Sequence, residues 1–92
     1  MTTEAPVCVI VVNHNGGPLL RRCIDALAAQ TVPPRDVVVV DNLSTDGSAA
    51  FLETLSGPLA GRVRLIAPGT NLGFAAANNL AAGRTREPWI AT

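Results

Sequence analysis

With 92 residues, 48% of them hydrophobic, the chain has the material for one small core, and its composition favours a globular domain over a disordered one. Seven basic and seven acidic residues balance, which excludes a general electrostatic grip on nucleic acid or on an anionic membrane. All seven basic residues are arginine, so lysine-dependent chemistry is excluded; two cysteines and one histidine cannot complete a zinc site without carboxylates.

In chain order, Met1 to Pro6 reads as a disordered lead-in. It carries Glu4 and no apolar core segment, so no signal peptide is expected to open the chain. Val7 to Val12 is an unbroken apolar run, the pattern of a strand covered on both faces in a parallel sheet. It is far shorter than the ~20 residues that span a bilayer. A polar turn from Asn13 to Gly17 follows, and Pro18 suits the first position of a helix. Leu20, Cys23, Ile24, Leu27 and Ala28 then recur at helical spacing, and Val32-Pro33-Pro34 ends the helix. Cys8 and Cys23 are expected as reduced, buried thiols.

Val37 to Val40 form a second buried strand closed by Asp41. Asn42 to Gly47 make a polar turn with Asp46 as a helix N-cap, and Phe51, Leu52 and Leu55 mark a second helix ending at Gly57-Pro58. Arg62 to Ala67 alternate polar and apolar, which suits a strand nearer the sheet edge. Phe74 to Gly83 is alanine-rich and helical, with Phe74 expected to pack under the sheet. Trp89 to Ala91 begin a fourth strand. The order β-α-β-α-β-α-β, with helices of about ten residues, calls for a parallel sheet with right-handed crossovers.

Open parallel sheets bind ligands beyond the carboxyl ends of their strands. Three polar segments fall there: Asn13 to Gly17, Asp41 to Ser48, and Asn71-Leu72-Gly73 leading into Asn78-Asn79. Together they hold all six asparagines. Asp41 can accept from a base N–H or a ribose hydroxyl, or can cap a turn or pair with an arginine. His14, the sole imidazole, can stack on a base, donate to a phosphate, or stand as an exposed loop residue. A dinucleotide fingerprint is absent, because Gly16-Gly17-Pro18 lacks the required glycine spacing although Asp41 could serve as its acid. A phosphate-binding P-loop is excluded by the missing lysine, and no G-x-S-x-G elbow supports a serine hydrolase.

The runs Val9-Ile10-Val11-Val12-Asn13-His14-Asn15, Val38-Val39-Val40-Asp41-Asn42-Leu43-Ser44-Thr45-Asp46-Gly47-Ser48 and Asn71-Leu72-Gly73-Phe74-Ala75-Ala76-Ala77-Asn78-Asn79 resemble the N-terminal part of family 2 glycosyltransferases. The second run is the most specific, and the Asp-Asn and Asn-x-Gly-Phe variants are most similar to the rhamnosyltransferase-like branch. The resemblance covers about Val7 to the last residue. It implies a Rossmann-like (GT-A) three-layer α/β fold with a mainly parallel sheet, truncated after the fourth strand, residues 7–92 being the nucleotide-binding half of the domain.

The resemblance further implies an inverting enzyme that passes a sugar from a nucleotide diphosphate (dTDP-rhamnose or a UDP-sugar) to an acceptor hydroxyl in cell-surface glycan synthesis. Its partners would be that donor and a glycan or lipid-linked acceptor, at the cytoplasmic face of a membrane. By the same resemblance Val12, Asn13 and His14 lie against the nucleobase, and Asp41 and Asn42 bond the base or ribose. Asn79 matches the family's asparagine near the nucleotide, and Asn71, Gly73 and Asn78 complete the binding set. Asn78 stands where many members carry arginine. The divalent metal (Mg2+ or Mn2+) and the general base come later in the family, so no catalytic or metal-ligating residue is expected among these 92, and the piece alone is expected to be inactive and marginally stable. The reading outside this family is a non-catalytic Rossmann-like nucleotide-binding or interaction module.

Overall fold

A computed structural model describes residues 4–92. Four parallel strands, β1 (Ala5–Asn13), β2 (Pro34–Asp41), β3 (Val63–Ile66) and β4 (Trp89–Ala91), lie in the order β3-β2-β1-β4. The two helices are α1 (Pro18–Ala28) and α2 (Phe74–Ala82). β1 to β3 step outward in one direction, and the chain then returns to place β4 on the other side of β1. The order of the sheet therefore reverses at the β1–β4 boundary.

The valines of β2 explain the layering. Val37 and Val39 join Leu20 and Ile24 of α1 with Leu59 on one face, whereas Val38 and Val40 join Cys8, Ile10, and Ala77 and Ala81 of α2 on the other. Because successive side chains of a strand point to opposite faces, an unbroken apolar run needs cover on both sides, and β2 has it. All four valines are fully buried. β3, the shortest of the three strands from β1 to β3, is the edge that its alternating pattern indicated.

The strand β1 starts at Ala5, so Ala5 and Pro6 belong to the sheet and not to the lead-in, and Met1 to Thr3 lie outside the described residues. The β1–β2 register slips between Ala5 and Cys8. Pro6 has no N–H to donate to a ladder there.

The second helix of the sequence reading is a single 3-10 turn, Ala50–Thr54. The backbone turns extended at Leu55, which ends the segment, and Phe51, Leu52 and Leu55 still pack on the α1 face. Asp46 is not its N-cap: its Oδ1 accepts from Ser48 N at 2.9 Å, two residues on, which closes a side-chain turn. Cys23 is exposed and only Cys8 is buried, because the sheet-facing side of α1 is centred on Leu20 and Ile24. Phe74 is 68% exposed; α2 turns Ala77 and Ala81 to the sheet and leaves its first residue outside the layer.

Candidate functional site

Parallel pairing sets Asn13 opposite Asp41 at the last rung of β1 and β2. From that rung three loops are tied together by side-chain amides. Asn13 is buried, and its Nδ2 lies 3.0 Å from Asp41 Oδ1, 3.1 Å from Ser44 Oγ and 2.8 Å from Ser48 Oγ. Two N–H groups thus serve three acceptors, which requires one shared bond. Gly16 is needed beside it, since a Cβ at that position would collide with the Asn13 amide oxygen.

Asn42 is buried and uses every polar group it has. Its N–H donates to Asn13 O at 2.7 Å, and its carbonyl meets His14 Nδ1 at 2.6 Å. Its side chain accepts from Leu72 N and donates to Gly73 O, both at 3.1 Å. One residue therefore links the β1 loop, the β2 loop and the segment that enters α2. Asn15 adds a reciprocal pair: its N–H donates to Ser44 Oγ at 2.9 Å while its Oδ1 accepts from Thr45 N at 2.8 Å. Asp46 Oδ2 accepts from Gly17 N at 3.0 Å. The Ser48 hydroxyl and N–H, with the Gly17 N–H, hold the Asp46 carboxyl below its ordinary range.

The structure brings Val12, Asn13, His14, Asp41, Asn42, Asn71 and Gly73 to one carboxyl-end rim, but it divides them by exposure. Asn13 and Asn42 are buried ties, and Val12 is half-buried against the α2-side core. His14, Asn71 and Gly73 are exposed, Asp41 is half-buried, and among the described residues Asp41 Oδ2 has no partner. Asp41 thus bonds an asparagine and no arginine. Asn71 Oδ1 accepts from Gly73 N at 2.8 Å, forming the turn before α2, where Gly73 takes a left-handed φ of 77°.

Asn78 and Asn79 lie further into α2. Asn78 Nδ2 donates back to Phe74 O at 3.0 Å, and its buried Oδ1 has no partner among the described residues. Asn79 is exposed, one residue further along α2. Sequence reasoning missed Asn15, Ser44 and Ser48 as members of this network. The one advance signal was Asn15 beside two glycines, since asparagine tolerates the positive φ of 50° it adopts.

The other end of the sheet has a different chemistry. Arg62 pairs with Glu4 at 2.8 Å, Arg64 with Asp36 at 2.7 Å and Arg35 with Glu87 at 3.1 Å, and Thr85 Oγ1 donates to Asp36 at 2.8 Å. A cavity of about 130 Å3 opens there between Glu4, Pro33, Pro34, Pro58 and Arg62. It lies at the amino ends of the strands, away from the rim where parallel sheets seat ligands. Among the described residues no three His, Cys, Asp or Glu side chains gather closely enough to hold an ion.

A doubly wound parallel sheet with its polar loops locked at one carboxyl-end rim defines a Rossmann-like α/β domain of the GT-A kind. The chain belongs to glycosyl transferase family 2, whose sequence profile matches residues 8–92. It is 36% identical over 85 residues to the succinoglycan biosynthesis protein ExoO of Rhizobium meliloti, covering 92% of this chain and 24% of that one. It is 35% identical over 98 aligned positions to N-acetylglucosaminyl-diphospho-decaprenol L-rhamnosyltransferase of Mycobacterium tuberculosis, covering 98% of this chain and 30% of that protein. The solved mannosyltransferase PcManGT from Pyrobaculum calidifontis, in complex with GDP-Man and Mn2+, superposes with a TM-score of 0.73 at 32% identity over 91% of this chain and 25% of its own. The chain thus spans less than a third of the length of these relatives.

Proposed function

We propose that residues 7–92 form the nucleotide-sugar-binding half of an inverting glycosyltransferase that transfers a sugar, from dTDP-rhamnose or a UDP-sugar, to a hydroxyl of a glycan or lipid-linked acceptor. The observation that carries this reading is the rim: three loops bonded through Asn13 and Asn42 into one platform, with Asp41 Oδ2 and His14 left able to meet a ligand. Asp41 would accept from a base N–H or ribose hydroxyl, and Asn71, Gly73, Asn78 and Asn79 would border the nucleotide from α2. In this reading Asn13 and Asn42 act by holding those residues in place.

The named activities of the mycobacterial relative and the GDP-Man and Mn2+ in the archaeal neighbour support donor, acceptor and metal classes of this kind. A divalent ion, Mg2+ or Mn2+, would neutralise the charge that builds on the departing nucleotide diphosphate. We place it, and the base that takes the acceptor proton, in other parts of the full-length enzyme. That enzyme would work at the cytoplasmic face of a membrane. Among the described residues no helix is long and apolar enough to cross one.

The test is an NMR titration of the chain with UDP-glucose, dTDP-rhamnose and GDP-mannose. Shifts confined to the Asn13–Gly17, Asp41–Ser44 and Asn71–Asn79 amides are expected. No shift with any of the three at concentrations on the order of millimolar refutes the reading.

A further inference from the structure

Two non-glycine residues among the described ones take a left-handed backbone, Asn15 at φ 50° and Leu43 at φ 62°. Asparagine tolerates that conformation, but leucine is strained in it, because its Cβ crowds the following carbonyl oxygen. The cause lies on either side of Leu43. Asn42 is bonded through its side chain to Leu72 N and Gly73 O, and Ser44 Oγ accepts from Asn13 Nδ2 at 3.1 Å and from Asn15 N at 2.9 Å. The chain must reverse between these two fixed points. The reversal falls on Leu43, whose own N–H donates to Asp41 O at 3.0 Å.

Glycine would meet this backbone requirement without strain, and the leucine side chain adds little to the fold. It is 51% exposed and joins neither apolar layer. Strained residues held by their surroundings gather at ligand clamps. The turn also decides what Leu43 stands beside. Asn42 goes inward and is buried, while half-buried Asp41, whose Oδ2 has no partner among the described residues, flanks it on the same turn. An apolar surface thus adjoins one acceptor on the rim. Of the parts of a nucleotide sugar, the diphosphate would lose hydration against leucine and be repelled by Asp41, and the sugar presents mainly hydroxyls. The base combines a flat apolar face with an N–H edge.

We infer that Leu43 is a base-contacting residue, held left-handed by the Asn42 and Ser44 ties so that its side chain covers one face of the donor's nucleobase beside Asp41. This rests on the nucleotide-sugar reading and deepens it, by giving the base an apolar contact on the β2 loop. It also accounts for a leucine at a position whose backbone suits glycine or asparagine.

The experiment titrates the chain, labelled at its leucine methyls, with UDP-glucose, dTDP-rhamnose and GDP-mannose. A bound nucleotide should show nuclear Overhauser contacts from the Leu43 methyls to its base protons and none to its sugar protons. Glucose 1-phosphate, which has no base, should leave the Leu43 methyl signals unmoved. Leu43→Gly should raise the urea midpoint by relieving the left-handed strain, yet weaken binding about fivefold, the factor for covering the exposed half of a leucine side chain. Leu43→Asn, which tolerates the backbone but lacks the apolar surface, should weaken binding equally. Leu43→Met should hold the parental affinity within about twofold, as a volume-conserving apolar exchange. A residue that only shapes the loop would not separate stability from affinity in this way. Binding without those base contacts, an unchanged affinity or a lowered midpoint in Leu43→Gly, or affinity lost in Leu43→Met each overturns the inference while sparing the nucleotide reading. No binding of any of the three nucleotides overturns both.

Discussion

Replacing Asn42 by alanine tests whether one buried amide holds the rim together. The substitution removes the bonds to Leu72 N and Gly73 O while leaving the backbone contacts to Asn13 and His14 in place. The Leu72 N–H, on a half-buried residue, loses its partner, at a cost of about 1–3 kcal/mol. Gly73 is exposed, so water can replace the amide at its carbonyl and only the net worth of one bond is lost, about 0.5–1.5 kcal/mol. The sum, about 1.5–4.5 kcal/mol, is large beside the ~5–14 kcal/mol expected for a domain of this length. Urea unfolding followed by far-UV circular dichroism should show the midpoint falling with an unchanged slope, and the amides of residues 70–74 should lose hydrogen-exchange protection ahead of β2. Asn42→Asp keeps the acceptor for Leu72 N but sets a carboxylate against the Gly73 carbonyl, so it should rank with alanine or below it. A loss under about 0.5 kcal/mol for alanine, the level of an ordinary surface substitution, would refute the assignment of Asn42 as the tie between β2 and α2.

Gly16→Ala should destabilise the chain by about 1–3 kcal/mol in the same assay, because the new methyl collides with the Asn13 amide oxygen and forces the rung at Asp41 to shift. Cys23, exposed on α1, should react with a maleimide in the folded chain while Cys8, whose thiol burial pushes up, reacts only in denaturant; mass spectrometry after partial labelling reads the order. The Asp46 carboxyl is held below its ordinary range, so its contribution to stability is present above the unfolded carboxylate value and is lost as pH falls through the lower folded one. Acid titration of Asp46→Asn should therefore show a flatter stability loss below about pH 4 than the parent chain.

The layered fold was legible because valine runs report burial directly. Val7 to Val12 and Val37 to Val40 have no polar face to turn to water, and only a sheet covered on both sides accommodates them. The failures have equally local causes. Phe51, Leu52 and Leu55 indicated an apolar surface but not its backbone, which runs as a short 3-10 segment and turns extended at Leu55. Cys23 fits a helical spacing with Leu20 and Leu27, yet a helix of 11 residues against a narrow sheet buries only the stripe through Leu20 and Ile24. Phe74 belongs to the helical pattern of α2, but its place at the first turn carries it outside the layer.

The rim was legible in its location and not in its division of labour. An asparagine-rich run after a strand looks the same in sequence whether its amides face a ligand or the loops themselves. Burial separates the two cases. Asn13 sits at the last rung of β1 and Asn42 follows the last residue of β2; both are buried, where a polar side chain must find partners within the protein. They find them in neighbouring loops, and this turns three flexible connections into one surface. His14 and Asp41 are next in sequence to these two, and Asp41 shares the last rung with Asn13, so fixing the buried asparagines also fixes the groups beside them. In the function proposed above, the platform would depend on the two buried asparagines that tie its loops together. Removing either should weaken nucleotide binding even where Asp41 and His14 are intact.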